Sequence, residues 1–173
     1  MIPAGYLLRR RIESDDATLI DVEQRAAGLF RHHGYPHIAD EPMASLAELR
    51  ALMADQSVWV AATETGEPVG FAIAGPLGRF FHLRELSVDP AHGRRGLGAA
   101  LVGAVVAAAE AAGCDGVSLT TFRSVPFNQP FYERLGFAEL APAVAPAALK
   151  EQFEREVPPG IAPGERVLMV HRT

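Results

Sequence analysis

The segment Leu86-Ser87-Val88-Asp89-Pro90-Ala91-His92-Gly93-Arg94-Arg95-Gly96-Leu97-Gly98-Ala99 carries the clearest chemical signal in the chain. A β-rich run ends at Asp89-Pro90, glycines stand at 93, 96 and 98, and an alanine-rich helical stretch follows. The first N–H groups of a helix have no partner inside it and sit at the positive end of its dipole, so they attract phosphate. Glycine lets the backbone approach such an anion closely. Arg94 and Arg95 add charge and several donors each. Two familiar phosphate loops fit poorly. A P-loop needs Lys-Ser or Lys-Thr after Gly98, where Ala99-Ala100 stand. A dinucleotide fingerprint needs a small residue three places after Gly98, where Leu101 is too bulky for close helix–strand packing.

Two further segments hold residue types that move protons. Phe80-Phe81-His82-Leu83-Arg84-Glu85-Leu86 offers His82 and Glu85 on opposite faces of a strand, because side chains alternate along it. Val125-Pro126-Phe127-Asn128-Gln129-Pro130-Phe131-Tyr132-Glu133-Arg134-Leu135-Gly136-Phe137 offers Asn128 and Tyr132 at the start of and within a short helix. Taken alone, Asn128 reads equally well as a plain N-cap and Tyr132 as a packed core aromatic. His82 alone reads as a half-buried strand histidine, and Glu85 as half of a structural ion pair.

Together these segments resemble the GNAT superfamily of acetyltransferases. The family motif is a strand ending in Val-x-Pro, then (Gln/Arg)-x-x-Gly-x-(Gly/Ala), then a helix; the match covers Glu85 to Val102. One departure is Gly93, which stands where the family usually has Gln or Arg, with Arg94 and Arg95 adjoining it. The second match is Asn128 followed by a helix ending in Tyr132-x-x-x-Gly136-Phe137, about 30 residues later with one strand between. The resemblance extends over about residues 5–141 in element order and is specific over 85–102 and 126–137.

The resemblance implies an acetyl-CoA-dependent N-acetyltransferase that moves the acetyl group to a primary amine of a small molecule by direct attack in a ternary complex. Acetyl-CoA is then the cosubstrate. The diphosphate lies on Gly93, Arg94, Arg95, Gly96, Leu97, Gly98 and Ala99. Backbone amides at Leu86, Ser87 and Val88 serve the cofactor arm and the developing oxyanion, since the family's strand splays from its neighbour there. Asn128 contacts the pantetheine or caps its helix, and Tyr132 protonates the departing thiolate. The amine must also lose a proton, because an ammonium has no lone pair. Aligned by its glycines, His82 falls where several family members place a strand-borne base, and histidine is the usual proton carrier near neutral pH. Glu85 is the alternative base, and a base acting through waters is a third reading. The acceptor itself is not legible. A protein or peptide N-acetyltransferase and a CoA-binding module with little catalysis are the rival readings. Homodimers are common in the family, and no residue here decides the oligomeric state.

These residues must be positioned by an α/β fold. Leu7–Ile12 predicts a first strand, and Ser14-Asp15-Asp16 a helix start with a hydroxyl cap, running to about Phe30 with Leu19, Val22 and Ala26 on one stripe. His32 to His37 predicts a loop. Its histidines lack the ligand spacing and acid or Cys partners of a metal site, so no metal is expected. Ser45-Leu46-Ala47-Glu48 matches a capping box. Val58–Ala62 and Val69–Ala74 form a hairpin signal, Gly75 to Gly78 a second turn, and Phe80–Val88 the next strand. The helix after the glycine loop is apolar nearly all round to about Ala112, which predicts burial, and Gly113 suits its C′ position. Val117–Phe122 is a strand, Asn128–Leu135 a short helix and Phe137–Leu140 a short strand. Pro146 suits N1 of a helix to about Glu156, and Val167–Val170 is the last strand. With the resemblance, the order implies a three-layer α/β/α arrangement with a mixed, mostly antiparallel central sheet splayed after the fourth strand. A single domain over 1–173 is expected, with its core at about 5–141 and a C-terminal helix and strand in 142–173.

Composition fits that expectation. Of 173 residues, 49% are apolar and 21% charged, an ordinary globular balance. A net charge of −5 gives no support to duplex nucleic-acid binding. Cys114 is the only cysteine, which suits a reducing compartment. The longest apolar run, Leu97 to Ala109, falls short of a membrane span, and no signal-peptide pattern follows Met1. A cytoplasmic protein without a membrane partner is the expectation.

Overall fold

A computed structural model of the chain describes every residue except Ala44. Among the described residues seven strands are formed: β1 Tyr6–Arg10, β2 Ser57–Thr63, β3 Pro68–Leu77, β4 Phe80–Val88, β5 Gly116–Phe122, β6 Ala138–Glu139 and β7 Arg166–Arg172. Six α-helices accompany them: α1 Asp16–Ala27, α2 Pro36–Asp40, α3 Leu46–Met53, α4 Leu97–Ala111, α5 Gln129–Arg134 and α6 Ala147–Arg155. The strands hydrogen-bond in the order β1-β2-β3-β4-β5-β7-β6. The mixed, mostly antiparallel sheet expected from the sequence is present. β4 and β5 run parallel on either side of the α4 crossover, while β1–β2, β2–β3, β5–β7 and β6–β7 are antiparallel.

The chain divides into two compact units. The first takes Met1–Gly75 and Arg84–Val105, the second Pro76–Leu83 and Val106–Thr173.

In the first unit, β1 pairs with β2 from Tyr6 opposite Thr63 to Arg10 opposite Trp59. Leu19, Val22, Leu49, Met53, Val60, Phe71 and Ile73 form its core. Here α1 and α3 lay their apolar stripes against alternating residues of β2 and β3. Trp59 is buried as a core strand residue, with the Arg10 guanidinium 4.6 Å from its ring centroid. The start of α1 differs from expectation. Ser14 supplies no cap. Instead the Asp15 carboxylate accepts from the Ile12 amide and is gripped by Arg9, while the buried Asp16 carboxylate is shared by Arg11 and Arg50. A carboxylate takes two strong charged bonds where a hydroxyl takes one weaker bond, so the acids govern this turn. Hydrogen bonds from Arg11 first, and then from Arg50 against the cost of burial, hold Asp16 below the usual carboxylate range.

α1 ends at Ala27 rather than Phe30, and a 3-10 turn continues it over Gly28–His33. The expected loop at His32–His37 is therefore largely helical, since Pro36 opens α2 at its first position. The capping box at Ser45 is present, with Ser45 Oγ accepting from the Glu48 amide at 3.2 Å.

In the second unit, β4 and β5 are joined at two residue pairs, Phe81 opposite Val117 and His82 opposite Ser118, while β4 runs on to Val88. β5 pairs with β7 along its whole length. Phe80, Leu149, Phe153, Leu168 and Val170 pack together beneath α6. β3 extends through Leu77, so the predicted turn at Gly75–Gly78 shrinks to Gly78-Arg79; Pro76 lies within the strand near its end, where ladder bonds can be lost cheaply. Pro146 is the N-cap of α6, with extended backbone, rather than N1.

α4 is not buried all round. Leu97, Leu101, Val105 and Ala109 are buried, whereas Gly103, Ala107 and Glu110 are exposed, so its outer face carries small residues and one acid. Gly113 has φ +69 and completes a Schellman ending, its amide bonding Glu110 O and the Cys114 amide bonding Ala109 O. Among the described residues no helix is long and apolar enough to cross a membrane.

Candidate functional site

In the first unit, the backbone turns sharply between β4 and α4. Asp89 Oδ1 accepts from the Ala91 amide, and Arg25 of α1 bonds Asp89 Oδ2 at 3.0 Å. Burial works against the Asp89 charge, but the Ala91 amide and Arg25 outweigh it and leave its pKa below the usual range. A 3-10 turn follows at Pro90–His92. Arg94 then adopts φ +61 and Gly96 φ +86. Glycine takes the second value freely, whereas an L-residue in the left-handed region costs roughly 1–2 kcal/mol. The first bond of the α4 ladder is from the Ala100 amide to Gly96 O, at 3.0 Å. The N–H groups of Leu97, Gly98 and Ala99 therefore precede the ladder, as the open donors of a helix start. Arg94 and Arg95 are exposed beside them. Arg95 Nη1 donates to Tyr6 Oη at 3.0 Å, and Tyr6 Oη also meets His92 Nδ1 at 2.8 Å.

Upstream in the same unit, Ser87 Oγ donates to Glu85 Oε1 at 2.7 Å, and Ser87 is buried. Glu85 is half-buried, as are Leu86 and Val88. Sequence reasoning missed Glu23 on α1. Burial, and next the charge of Glu85, push its carboxyl up to about 7, against a stabilising bond from the Met43 amide. No local motif marks Glu23; its α1 position beneath an acid-bearing strand carries no sequence signature.

In the second unit, His82 is fully buried. Its Nδ1 lies 2.8 Å from Ser118 Oγ and its Nε2 2.5 Å from Glu156 Oε1. Both ring nitrogens are thus engaged, and neither is open to an incoming amine. Glu156, just past α6, is the partner that sequence reasoning missed.

Asn128 precedes α5 and is buried, yet its side chain makes no capping bond. Its Nδ2 is buried without a hydrogen-bond partner. A buried amide donor left open costs about 1–3 kcal/mol. The open donor fits an acyl or amide oxygen brought by a ligand. Tyr132 is also buried, edge-on to Phe131 at 5.0 Å and Phe137 at 5.6 Å. The first unit thus holds open helix-start amides beside two exposed arginines, and the second holds a buried, unsatisfied amide at the start of the helix that bears Tyr132.

The chain is similar to several proteins of known structure. The chain aligns with an acetyltransferase of the GNAT family from Staphylococcus aureus Mu50, at TM-score 0.68 and 16% identity over 96% of this chain and 98% of that one. It aligns with the ribosomal-protein-S18-alanine N-acetyltransferase of Escherichia coli at TM-score 0.69 and 20% identity, over 96% and 93%. The PaiA N-acetyltransferase of Thermoplasma acidophilum, in complex with coenzyme A, matches at TM-score 0.68 and 17% identity, over 97% and 99%. These likenesses give the fold. The sequence profile described as the acetyltransferase (GNAT) family matches residues 19–137, well over half of the chain. The strand-turn-helix at Asp89–Ala99 and the Asn128–Phe137 segment both lie inside that match, and the chain belongs to the GNAT acetyltransferase family.

Proposed function

We propose that the chain transfers an acetyl group from acetyl-CoA to a primary amine of a small molecule, by direct attack in a ternary complex. The observation that carries this reading is the turn before α4. Gly96 in the left-handed region and the amides of Leu97, Gly98 and Ala99 ahead of the helical ladder suit a diphosphate. Gly93, Arg94 and Arg95 complete that cradle. Solved relatives of the same fold hold coenzyme A, which supports the choice of cosubstrate.

The other roles follow from chemistry. The acyl carbon gains a C–N bond and loses its C–S bond. The Leu86–Val88 amides are assigned to the cofactor arm and to the oxygen that gains charge. The Asn128 amide donor, buried and open, takes an oxygen of the pantetheine arm. Tyr132 gives its proton to the thiolate. The amine's proton goes to Glu85 in preference to His82, because both His82 nitrogens are occupied. Burial, and next the charge of Glu85, raise the proton affinity of Glu23, and two neighbouring acids are compatible with a cationic acceptor.

Thiol release from acetyl-CoA, followed over a panel of small amines and free peptide N-termini, tests the reading. Turnover of small amines is expected, with Tyr132→Phe and Glu85→Gln each lowering kcat by about 100-fold. Tight acetyl-CoA binding with no turnover on any amine would overturn the enzyme reading in favour of a binding module. Turnover on peptides alone would overturn the small-molecule acceptor.

A further inference from the structure

Tyr6 is remote in sequence from every motif above, yet it joins the two ends of the anion turn. Its phenol oxygen accepts from Arg95 Nη1 at 3.0 Å and shares a second bond with His92 Nδ1 at 2.8 Å. The Tyr6 and His92 rings meet edge to face, with centroids 5.8 Å apart and planes 86° apart. Pro3, from the same segment, packs towards Gly96, its Cγ 3.6 Å from the position a Cβ would take there. Between His92 and Arg95 in the chain lies Arg94, exposed and in the left-handed region that an arginine seldom adopts. Such a conformation persists only where its surroundings fix it, and Arg95 is an exposed side chain that hydrogen-bonds Tyr6. Arginine can only donate, so a neutral phenol oxygen is a partner that orients the guanidinium while leaving its charge uncompensated. A carboxylate in that place would neutralise it.

We propose that Tyr6 is a positioning residue for cofactor binding. Through its bond to Arg95 it sets the turn from His92 to Gly96 and presents an uncompensated guanidinium to the diphosphate, supplying the charge that Gly93 lacks. The inference rests on the proposed acetyl-CoA reading and adds a residue to it. Ordering the turn before the ligand arrives removes part of the cost of binding and leaves the reacting atoms untouched. Its effect therefore belongs in affinity and not in turnover at saturation.

The test uses the full chain, with acetyl-CoA binding measured by calorimetry and steady-state kinetics in acetyl-CoA. Tyr6→Phe keeps the ring and removes the oxygen. It should raise Kd and KM for acetyl-CoA about fivefold to tenfold, the scale of the net contribution of one hydrogen bond, with kcat and the melting temperature unchanged. Arg95→Ala should weaken binding at least as much. In that background Tyr6→Phe should add nothing, because the phenol acts only through the guanidinium. Dephospho- and desulfo-analogues of CoA that retain the diphosphate should show the same ratio between wild type and Tyr6→Phe. Equal affinities of wild type and Tyr6→Phe, additive effects of the two substitutions, or a fall confined to kcat would each overturn the inference while leaving the acetyl-CoA reading intact. Failure of the wild-type chain itself to bind acetyl-CoA would overturn both.

Discussion

The turn before α4 and the polar group at His82 solve opposite problems. Around His82 every ring nitrogen is closed by a partner, Ser118 on one side and Glu156 on the other, in a fully buried setting. Buried polar groups that complete one another add rigidity and leave nothing for a ligand. At the turn, backbone donors stand ahead of the helical ladder, an arginine sits in a strained conformation, and the charged side chains face solvent. Residue type alone would have ranked them the other way, since histidine is the more familiar carrier of chemistry. Under the proposed reading, the difference teaches that unspent hydrogen-bonding capacity, more than residue identity, separates a group that binds from a group that holds.

That contrast can be broken by substitution. The largest effect is expected at Gly96. Gly96→Val forces a β-branched residue to φ +86 and should weaken acetyl-CoA binding by about 100-fold, since displacing aligned groups by about an ångström has that scale. Calorimetry reads it, and binding equal to wild type would remove the turn from the site. Next, His82→Ala should strand both Ser118 and Glu156, costing about 2–3 kcal/mol in denaturant unfolding while acetyl-CoA affinity stays within twofold. A loss of rate without loss of stability would instead return His82 to the chemistry. The smallest effect is a pH dependence. Glu23 binds its proton more tightly when folded, at about 7, than its ordinary value of 4.5. Its contribution to stability is therefore fully present below about 4.5 and is lost as pH rises through about 7. Melting temperature should decline across that window in wild type and decline less in Glu23→Gln. An identical slope in the two would place the proton elsewhere.

What the sequence showed was what glycine, proline and caps punctuate. Phe80–Val88 was legible to the residue because Asp89-Pro90 ends it, and Ser45-x-x-Glu48 announced α3. Gly113 announced the end of α4. The errors came where short-range rules compete with tertiary partners. Ser14 looked like a cap until Arg9, Arg11 and Arg50 gathered on Asp15 and Asp16. The α4 sequence looked buried because alanine is apolar, although alanine is small enough to face water at little cost. The turn at Gly93–Gly98 was readable because its donors come from consecutive backbone. The closures were not. Tyr6 lies 86 residues from His92 and 89 from Arg95, and His82 lies 74 from Glu156. No periodicity or spacing encodes such pairs; only the folded chain brings them together.

The amide of Asn128 has a consequence for how the chain can evolve. A donor that is sealed from water and offered no acceptor makes the empty molecule less stable than it could be. Selection for robustness alone would replace it with an apolar residue of similar size. Retention of asparagine at this position would then report a demand from outside the fold, a molecule that arrives carrying an oxygen.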